Sequence, residues 1–371
     1  MNEPKIYLHG LNGIRAIAAL GVVISHVTIE LGSFDLNPYL FGSFKDGNPI
    51  GLLLGGFGVS MFFALSGFLI TYLLLIEQES FKNINVKNFY IRRVLRIWPL
   101  YYLYLGVALV IISLLKMPFQ SDTFLLYVFF AANVPFILNT GLPLISHYWS
   151  LGVEEQFYAF WPWLVKKTKS GLIYVLITLT IFLIGMKIFL HFQLNDSILK
   201  DIINVTRFHC MMIGGIGAIL YLQKNKLFLS LVDNKLSQSI GLFVVFLMAI
   251  NKFHIISIID NEIISLVTVV IIVGQINIKN RVLSLENKLF DYLGKISYGI
   301  YVIHPLIILL ASQLFINLTI IPSIKYPIVY LTVIGLTVVM AHVSFKYFET
   351  YFLNLKHKFS DVQSTMTKKS Y

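Results

Sequence analysis

Residues 11–31 read LNGIRAIAALGVVISHVTIEL, an apolar stretch long enough to cross a bilayer as an α-helix. It contains Arg15 and His26, and ionisable side chains are costly in a membrane unless they face a polar interior. Eleven helical steps of about 100° bring these two side chains to within roughly 20° of one face, about 16 Å apart along the axis. The stretch therefore predicts a membrane helix whose polar face lines a cavity.

The composition is typical of a polytopic membrane protein, because 57% of the residues are hydrophobic, 13% are charged and the mean hydropathy is +0.77. Basic residues in cytoplasmic loops explain the net charge of +11, so we expect no nucleic-acid partner. Cys210 is the only cysteine, which excludes an internal disulfide and a metal site built from several cysteines. We predict no metal site.

The apolar runs predict an all-α fold with ten membrane-spanning helices. The predicted spans cover residues 11–31, 54–76, 97–116, 148–165, 171–190, 203–222, 239–256, 262–278, 294–316 and 326–348. Residues 122–138 are apolar but few, and we expect an interfacial or re-entrant element there. Residues 1–10 lack the basic region and cleavage site of a signal peptide, so the first helix is expected to be retained.

The distribution of basic residues predicts the orientation. An even number of spans places both termini on one side, and the connections on that side hold 21 of the 29 Lys and Arg residues, against five on the other. By the positive-inside rule both termini are cytoplasmic, in a multi-pass protein of the cell inner membrane surrounded by membrane lipid. Residues 357–371 are rich in Ser, Thr, Gln and Lys, and we expect them to form a disordered cytoplasmic tail.

His26 is the first candidate for chemistry, because an imidazole titrates near neutral pH and can take a proton from a hydroxyl and return it. The structural alternative is a hydrogen bond to a neighbouring helix. Arg15 on the same face favours function, although an arginine near the cytoplasmic edge also snorkels to lipid phosphates.

Three arginines precede the predicted third helix in NFYIRRVLRIWPLYY, namely Arg92, Arg93 and Arg96. Arg93 and Arg96 are three residues apart and share a helical face, which suits them to grip one phosphorylated ligand through several charge-assisted bonds. Positive-inside topology alone would also place arginines at this position.

A third candidate group lies in HYWSLGVEEQFYAFWPWL, at the predicted outer start of the fourth helix. Two adjacent carboxylates in a membrane segment are hard to explain by packing alone. Glu154 shares a helical face with Ser150 and is our choice for the cavity over Glu155. Trp149 suits either the border of the cavity or the interfacial aromatic belt.

The ninth predicted helix carries Tyr298, Tyr301 and His304 as a polar stripe at intervals of three residues, with Pro305 beside them. We consider Tyr301 and His304 as substrate-binding residues. The alternative is an interhelical hydrogen-bond seam, which we prefer for the two tyrosines.

Five segments together resemble the membrane-bound acyltransferase 3 family, bacterial enzymes that move acyl groups onto extracytoplasmic glycans and related acceptors. These segments are Arg15 with His26, GVSMFFALSGFL at 58–69, Arg93 with Arg96, WSLGVEEQFY at 149–158 and SYGIYVIHP at 297–305. The sequence departs from the family at Ser60, where members often carry an acidic residue.

The resemblance implies one acyltransferase 3-like transmembrane domain over residues 1–356 and a cytoplasmic acyl-CoA, most often acetyl-CoA, as donor. Arg93 and Arg96, with Arg92, would bind the CoA phosphates, and Arg15 would guide the pantetheine arm. The acceptor would be a hydroxyl of an extracytoplasmic or lipid-linked glycan. Some relatives append a second, extracytoplasmic hydrolase-like domain that completes the transfer outside. Where this protein needs a second protein for that step, we expect it to act in trans.

In the mechanism that the resemblance implies, His26 acts as general base on the acceptor hydroxyl and Glu154 orients His26 or the acceptor. Ser150 and Trp149 would border the acceptor entrance. A covalent acyl-histidine intermediate is equally compatible with the sequence. A membrane transporter or flippase for a glycan or lipid intermediate is the alternative function, and a protein that only presents glycans to another enzyme is a third.

Overall fold

The structure is a computed structural model that describes residues 5–43, 47, 49–168, 171–194, 197–316, 318–359 and 363–364. In the first half of the chain the helices are α1 Leu11–Ile29, α2 Leu53–Phe81, α3 Val86–Leu114, α4 Ser121–Val128, α5 Asn133–Ile137, α6 Trp149–Thr168 and α7 Leu172–Gln193. In the second half they are α8 Ile198–Thr206, α9 Phe208–Leu222, α10 Lys226–Val232, α11 Lys235–Ala249, α12 Asp260–Ile276, α13 Lys288–Lys295, α14 Ser297–Phe315, α15 Pro322–Ser344 and α16 Thr350–Lys356.

Short elements complete the described chain. Single 3-10 turns occur at Glu30–Phe34, Ser146–Tyr148, Ile278–Asn280 and His357–Phe359, and the π-helical turn Phe345–Glu349 joins α15 to α16. Two strands of two residues, β1 Lys5–Ile6 and β2 Gln363–Ser364, pair in parallel. The predicted disordered tail, 357–371, lies outside the described residues except for one of these turns and β2.

The prediction of a helical membrane protein is confirmed. Seven helical stretches in the described ranges are long and apolar enough to cross a bilayer, and an eighth is formed if α10 and α11, bent by 54°, make one span. The seven are Leu11–Phe34, Leu53–Phe81, Val86–Leu114, Leu172–Gln193, Ile198–Leu222, Ser297–Phe315 and Pro322–Lys356. The count of ten spans and the cytoplasmic termini stay predictions.

Helix α3 begins eleven residues before the predicted span, because Asn85 caps it and its side chain accepts a hydrogen bond from the backbone N–H of Asn88. The arginines Arg92, Arg93 and Arg96 therefore lie inside the helix, not before it as predicted from sequence. Hydropathy marks only the apolar part of such a helix, whereas the cap defines where the hydrogen-bonded helix starts.

The other boundary differences concern breaks in helices. The predicted span 203–222 is divided at Arg207, whose φ of 45° is left-handed and separates α8 from α9. Residues 122–138 form α4 and α5, of eight and five residues, which are too short for a straight span.

Helix α2 is the centre of the bundle and packs against α1, α9 and α12. It meets α9 at two glycines, where a Cβ on Gly67 would lie 1.9 Å from the Met211 carbonyl oxygen and one on Gly214 would lie 2.0 Å from that of Ala64. The two backbones touch only because both positions lack a side chain. This contact fixes the position of α2 in the bundle.

The two ends of α2 mark two ends of the bundle. Near its start, the carbonyl of Gly56 accepts a hydrogen bond from Arg207. Near its end, Glu77 pairs with Arg92 at 3.1 Å. These two positions on α2 are 21 residues apart, which corresponds to roughly 30 Å along a helix.

Candidate functional site

A cavity of about 110 Å³ lies inside the bundle between α1, α2, α3, α6 and α14. Six of the ten site residues predicted from sequence line it, namely Arg15, Arg93, Arg96, Ser150, Glu154 and Tyr301. The structure thus brings together residues from four helices that are far apart in sequence. We call this space the central cavity.

The arginines give one end of the central cavity a positive charge. Arg93 stacks its guanidinium over the rings of Phe89 and Tyr158, at 5.5 and 5.3 Å from their centroids. Its Nε is buried without a hydrogen-bond partner among the described residues. Arg15 donates to the Asn12 side chain at 3.2 Å. Arg96 makes no hydrogen bond to a described side chain, so donors of these side chains remain for a ligand with several acceptor oxygens.

Arg92 lies outside the residues that line the central cavity. Its guanidinium pairs with the buried carboxylate of Glu77 and donates to the carbonyl of Phe359 at 2.8 Å. Arg92 therefore has a structural role, because it connects the end of α2 to the turn that follows α16. The pair Arg93 and Arg96 therefore remains from the predicted group of three.

Glu154 and Glu155 point to different places. Glu154 lines the central cavity and accepts a hydrogen bond of 2.6 Å from Ser66 Oγ. Glu155 lies in a separate cleft beside α3, where it accepts from the indole N–H of Trp98 at 2.9 Å. The choice of Glu154 for the cavity agrees with this placement. Among the described residues, however, Glu154 makes no hydrogen bond to His26, whose neighbour is His304.

Beyond Glu154, two hydroxyls occupy the far end of the central cavity. Tyr301 donates its O–H to the carbonyl of His147 at 2.9 Å, and Ser150 Oγ lies 2.5 Å from the same phenolic oxygen. Because the phenol has one hydrogen, already given to a carbonyl, Ser150 must be the donor in the second contact. The two side chains connect α6 to α14.

His26 and His304 form a pair next to these hydroxyls. His26 Nδ1 lies 2.7 Å from His304 Nε2, and the two rings are stacked with an interplanar angle of 14°. His304 is fully buried, whereas His26 is only partly buried. His26 is therefore the member of the pair that a substrate can reach.

The hydrogen bonds of His304 fix the tautomers of this pair. His304 Nδ1 lies 2.7 Å from the carbonyl oxygen of Tyr301, which can only accept, so this nitrogen carries the hydrogen. In a neutral ring Nε2 is then the acceptor, and His26 must donate to it from Nδ1. The lone pair of a neutral His26 is consequently on Nε2, away from its partner.

Pro305 explains why the Tyr301 carbonyl is available. A proline has no backbone N–H, so it cannot bond the carbonyl four residues before it, which in α14 is that of Tyr301. His304 donates a hydrogen bond from Nδ1 to this carbonyl. His304 thus supplies the ring, and Pro305 leaves free the Tyr301 carbonyl that orients it.

Two predicted or missed residues flank the histidine pair. His147, which the sequence analysis missed, is buried with its ring 5.1 Å from that of His304, and its Nε2 lies 3.2 Å from the carbonyl of Val302. Its only signal was a histidine two residues before the Trp149 segment. Trp149 does not line the central cavity and instead packs its ring against Arg207, 5.5 Å away.

Three polar residues of the lining were also missed, namely Ser66, Tyr158 and Ser297. Tyr158 is one helical turn after Glu154, so helical spacing could have indicated it. Ser66 lies in GVSMFFALSGFL at 58–69, a segment that the sequence analysis used only for the family resemblance. Across the described ranges, no group of three or more His, Cys, Asp or Glu residues is arranged to hold a metal ion.

Comparison with known proteins agrees with the resemblance. O-acetyltransferase OatA of Staphylococcus aureus strains NCTC 8325 and COL is 28% identical over 383 residues, which cover 94% of this chain and 58% of the relative. A protein of strain COL that is provisionally named an O-acetyltransferase is 28% identical over 380 residues, 93% of this chain and 57% of its own. The chain thus spans less than two thirds of the length of these relatives.

No solved structure matches the chain. Among protein families, the one described as Acyltransferase domain, acyltransferase 3, matches residues 8–342. This match includes α1 to α14 and most of α15, and with them every residue of the central cavity and the histidine pair. The chain belongs to the acyltransferase 3 family.

Proposed function

We propose that the protein is an integral membrane O-acyltransferase, most directly an O-acetyltransferase, that moves an acyl group from acyl-CoA to a hydroxyl of an extracytoplasmic or lipid-linked glycan. The observation that carries the proposal is a histidine pair next to a cavity with arginines in its lining. Arg93, Arg96, Glu154, Ser150 and Tyr301 line the central cavity, and the carbonyl of Tyr301 orients His304, the partner of His26. The O-acetyltransferase names of relatives support the choice of acyl group.

The arginine end suits the donor. Acyl-CoA supplies a thioester whose carbonyl is open to attack, together with a phosphate-rich nucleotide and a slender pantetheine arm. Arg93 and Arg96 would bind the phosphates through charge-assisted hydrogen bonds, with Arg15 deeper in the cavity.

The histidine end suits general-base catalysis. His26 Nε2 would take the proton from the acceptor hydroxyl, and the resulting alkoxide oxygen would bond to the thioester carbonyl carbon. When the carbon–sulfur bond breaks, the thiolate of CoA would take up the proton that His26 holds. His304 would keep Nδ1–H of His26 hydrogen-bonded through both states, which supports the protonated ring.

The roles of the remaining residues follow from their places. Ser150 and Tyr301 stand between the arginines and the histidines, where they would border the reacting carbonyl. Glu154 would balance the charge of Arg15 and Arg93, rather than orient His26. We place the protein in the cell inner membrane with the arginine end facing the cytoplasm. A partner protein in trans would complete transfer where the acceptor is distant.

Donor binding tests the arginine end. We expect purified protein in nanodiscs to bind acetyl-CoA and to hydrolyse it slowly, and Arg93→Ala/Arg96→Ala to lose at least about tenfold in affinity, because two charged contacts are removed. Lys87→Ala/Lys167→Ala removes two exposed positive charges elsewhere and should bind as the unmodified chain does.

Retention of full affinity in the double arginine variant would contradict the assignment. If the unmodified chain neither binds nor hydrolyses any acyl-CoA, the alternative of a transporter or flippase for a glycan or lipid intermediate takes its place. Either result is read by isothermal titration calorimetry and by release of free thiol.

A further inference from the structure

A second polar cavity, of about 190 Å³, lies at the opposite end of the bundle from Arg92. It is formed by α7, α8, α12 and the residue between α8 and α9. Its polar lining includes Lys187, His191, Lys200, Asn204, Arg207 and Asn261. We call it the basic pocket, and nothing in the acyl-transfer chemistry above uses it.

The charge of the basic pocket is positive. Lys187, Lys200 and Arg207 line it, and no acidic side chain of the described residues is among its lining. Glu262 compensates one of these charges, since its carboxylate lies 2.7 Å from the ammonium of Lys187. Arg207 forms no ion pair with a described residue, and its charge therefore favours an anionic ligand.

Arg207 is held in place before any ligand arrives. Its Nη1 donates to the carbonyl of Gly56 and to Ser60 Oγ, each at 3.1 Å, and its Nε donates to the carbonyl of Asn204 at 2.8 Å. The flat face rests on Trp149. Its Nη2 makes no hydrogen bond to a described residue, so a pre-oriented donor remains for a ligand oxygen.

Asn261 adds a neutral donor beside Arg207. Its Oδ1 accepts a hydrogen bond of 2.8 Å from Ser60 Oγ, which leaves the side-chain N–H₂ as the group able to donate into the pocket. Guanidinium and amide donors side by side match a carboxylate or a phosphate, each of which offers several acceptor oxygens on one centre.

The basic pocket is at the same end of the bundle as the histidine pair. Arg207 contacts the first turns of α2 at Gly56, and Ser25, the neighbour of His26, donates to the carbonyl of Leu52 just before α2. Trp149 separates the pocket from Phe63, a lining residue of the central cavity. A molecule anchored here would have its other groups near the entrance to His26.

We infer that the basic pocket binds a carboxylate or phosphate group of the hydroxyl-bearing acceptor, which makes the acceptor an acidic sugar. The identification of this ligand as the acceptor rests on the proposed function, whereas the binding of an anion does not. The hydroxyls of a neutral glycan could accept from Arg207 and Asn261, but they carry no negative charge to compensate the guanidinium, and this disfavours a neutral sugar.

Calorimetry with the full chain in phosphatidylcholine nanodiscs tests this inference, with glucuronic acid, glucose 1-phosphate and glucose as probes at equal ionic strength. We expect one or both acidic sugars to bind and glucose to bind at least about tenfold more weakly. Lys200→Gln and Arg207→Gln should each weaken acid binding by a similar factor. Lys252→Gln, an exposed lysine at the same end, should not.

Equal binding of glucose, or unchanged affinity in Lys200→Gln, would overturn the inference even if Arg207→Gln fails to fold. Displacement of the acidic sugar by phosphatidylglycerol in the nanodisc would show a lipid-headgroup site and overturn the acceptor assignment. Acetyl-CoA binding is measured in the same samples. If it is absent while acidic sugars still bind, the proposed function fails and the anion site stands.

Discussion

At the scale of single residues, the pairing of His26 with His304 determines which nitrogen is available for chemistry. The carbonyl of Tyr301 fixes the hydrogen on His304, and this in turn fixes the hydrogen on His26. His304 makes no contact with the reacting atoms in this account, so we regard it as a positioning residue. Its replacement should therefore affect turnover and leave donor binding intact.

We expect His304→Ala to lower kcat by roughly 10- to 100-fold, a part of the 10²–10⁴-fold that a general base contributes, with little change in KM for acetyl-CoA. His304→Gln should recover part of the loss, because its amide oxygen can accept from His26 Nδ1. Steady-state hydrolysis of acetyl-CoA measures both. A merely structural role would lower protein yield or raise KM, and glutamine would not rescue it.

Six of the ten site residues predicted from sequence line the central cavity, but the sequence did not indicate the partner of His26. Helical spacing places Arg15 and His26 on one face, and Glu154 with Ser150 on another, because a helix is regular. The contact between His26 and His304 joins residues 278 apart in sequence. Only the packing of α1 against α14 creates it, and no local pattern contains that information.

At the scale of helices, the close approach of α2 and α9 fixes the position of α2, which forms part of the wall of the central cavity. Gly67 and Gly214 permit this approach, and a methyl group on either would overlap a backbone carbonyl. Backbone atoms cannot move aside as the end of a flexible side chain can. The substitution must therefore separate the two helices.

We expect Gly67→Ala to destabilise the protein by about 1–3 kcal/mol, the usual cost of overpacking a tight contact. Gly106→Ala is the matched control, because a Cβ at this exposed position of α3 meets nothing within 4 Å. Thermal unfolding in one detergent compares them. Equal unfolding temperatures in the two variants would show that the α2–α9 contact is looser than described.

Helix boundaries were predicted less well than helix positions. Hydropathy located most of α1, α2 and α7 within a few residues, since burial in lipid requires apolar runs. It placed the start of α3 too late, because the segment before the apolar run is polar and is held by the Asn85 cap. It also joined α8 and α9, because hydropathy does not report the left-handed backbone of Arg207.

At the scale of the whole molecule, two basic regions lie at opposite ends of α2. Arg92 marks one end through Glu77, and Arg207 marks the other through Gly56. The excess of basic residues in the connections predicts that the Arg92 end faces the cytoplasm. Among the described residues, seven or eight helical stretches are long and apolar enough to cross a membrane, against the ten spans predicted from sequence, and a labelling experiment can determine the orientation directly.

Cysteine accessibility in intact cells measures the orientation. With buried Cys210 replaced by serine, we expect Lys252→Cys to react with a membrane-impermeant maleimide and Lys87→Cys to react only after lysis. Both lysines are exposed. Lys252 follows Asn251, which contacts the start of α2 through Leu53, whereas Lys87 lies at the start of α3. The reverse labelling pattern would invert the proposed direction of transfer.

In the proposed mechanism, His26 performs the acyl-transfer chemistry without binding the donor. The decisive measurement is acetyl-CoA binding and turnover by His26→Gln in nanodiscs, beside His254→Gln as a control whose side chain is 60% exposed. We predict that His26→Gln binds acetyl-CoA with unchanged affinity and that its turnover falls by at least about 100-fold. Full turnover in a correctly folded His26→Gln protein would contradict the mechanism.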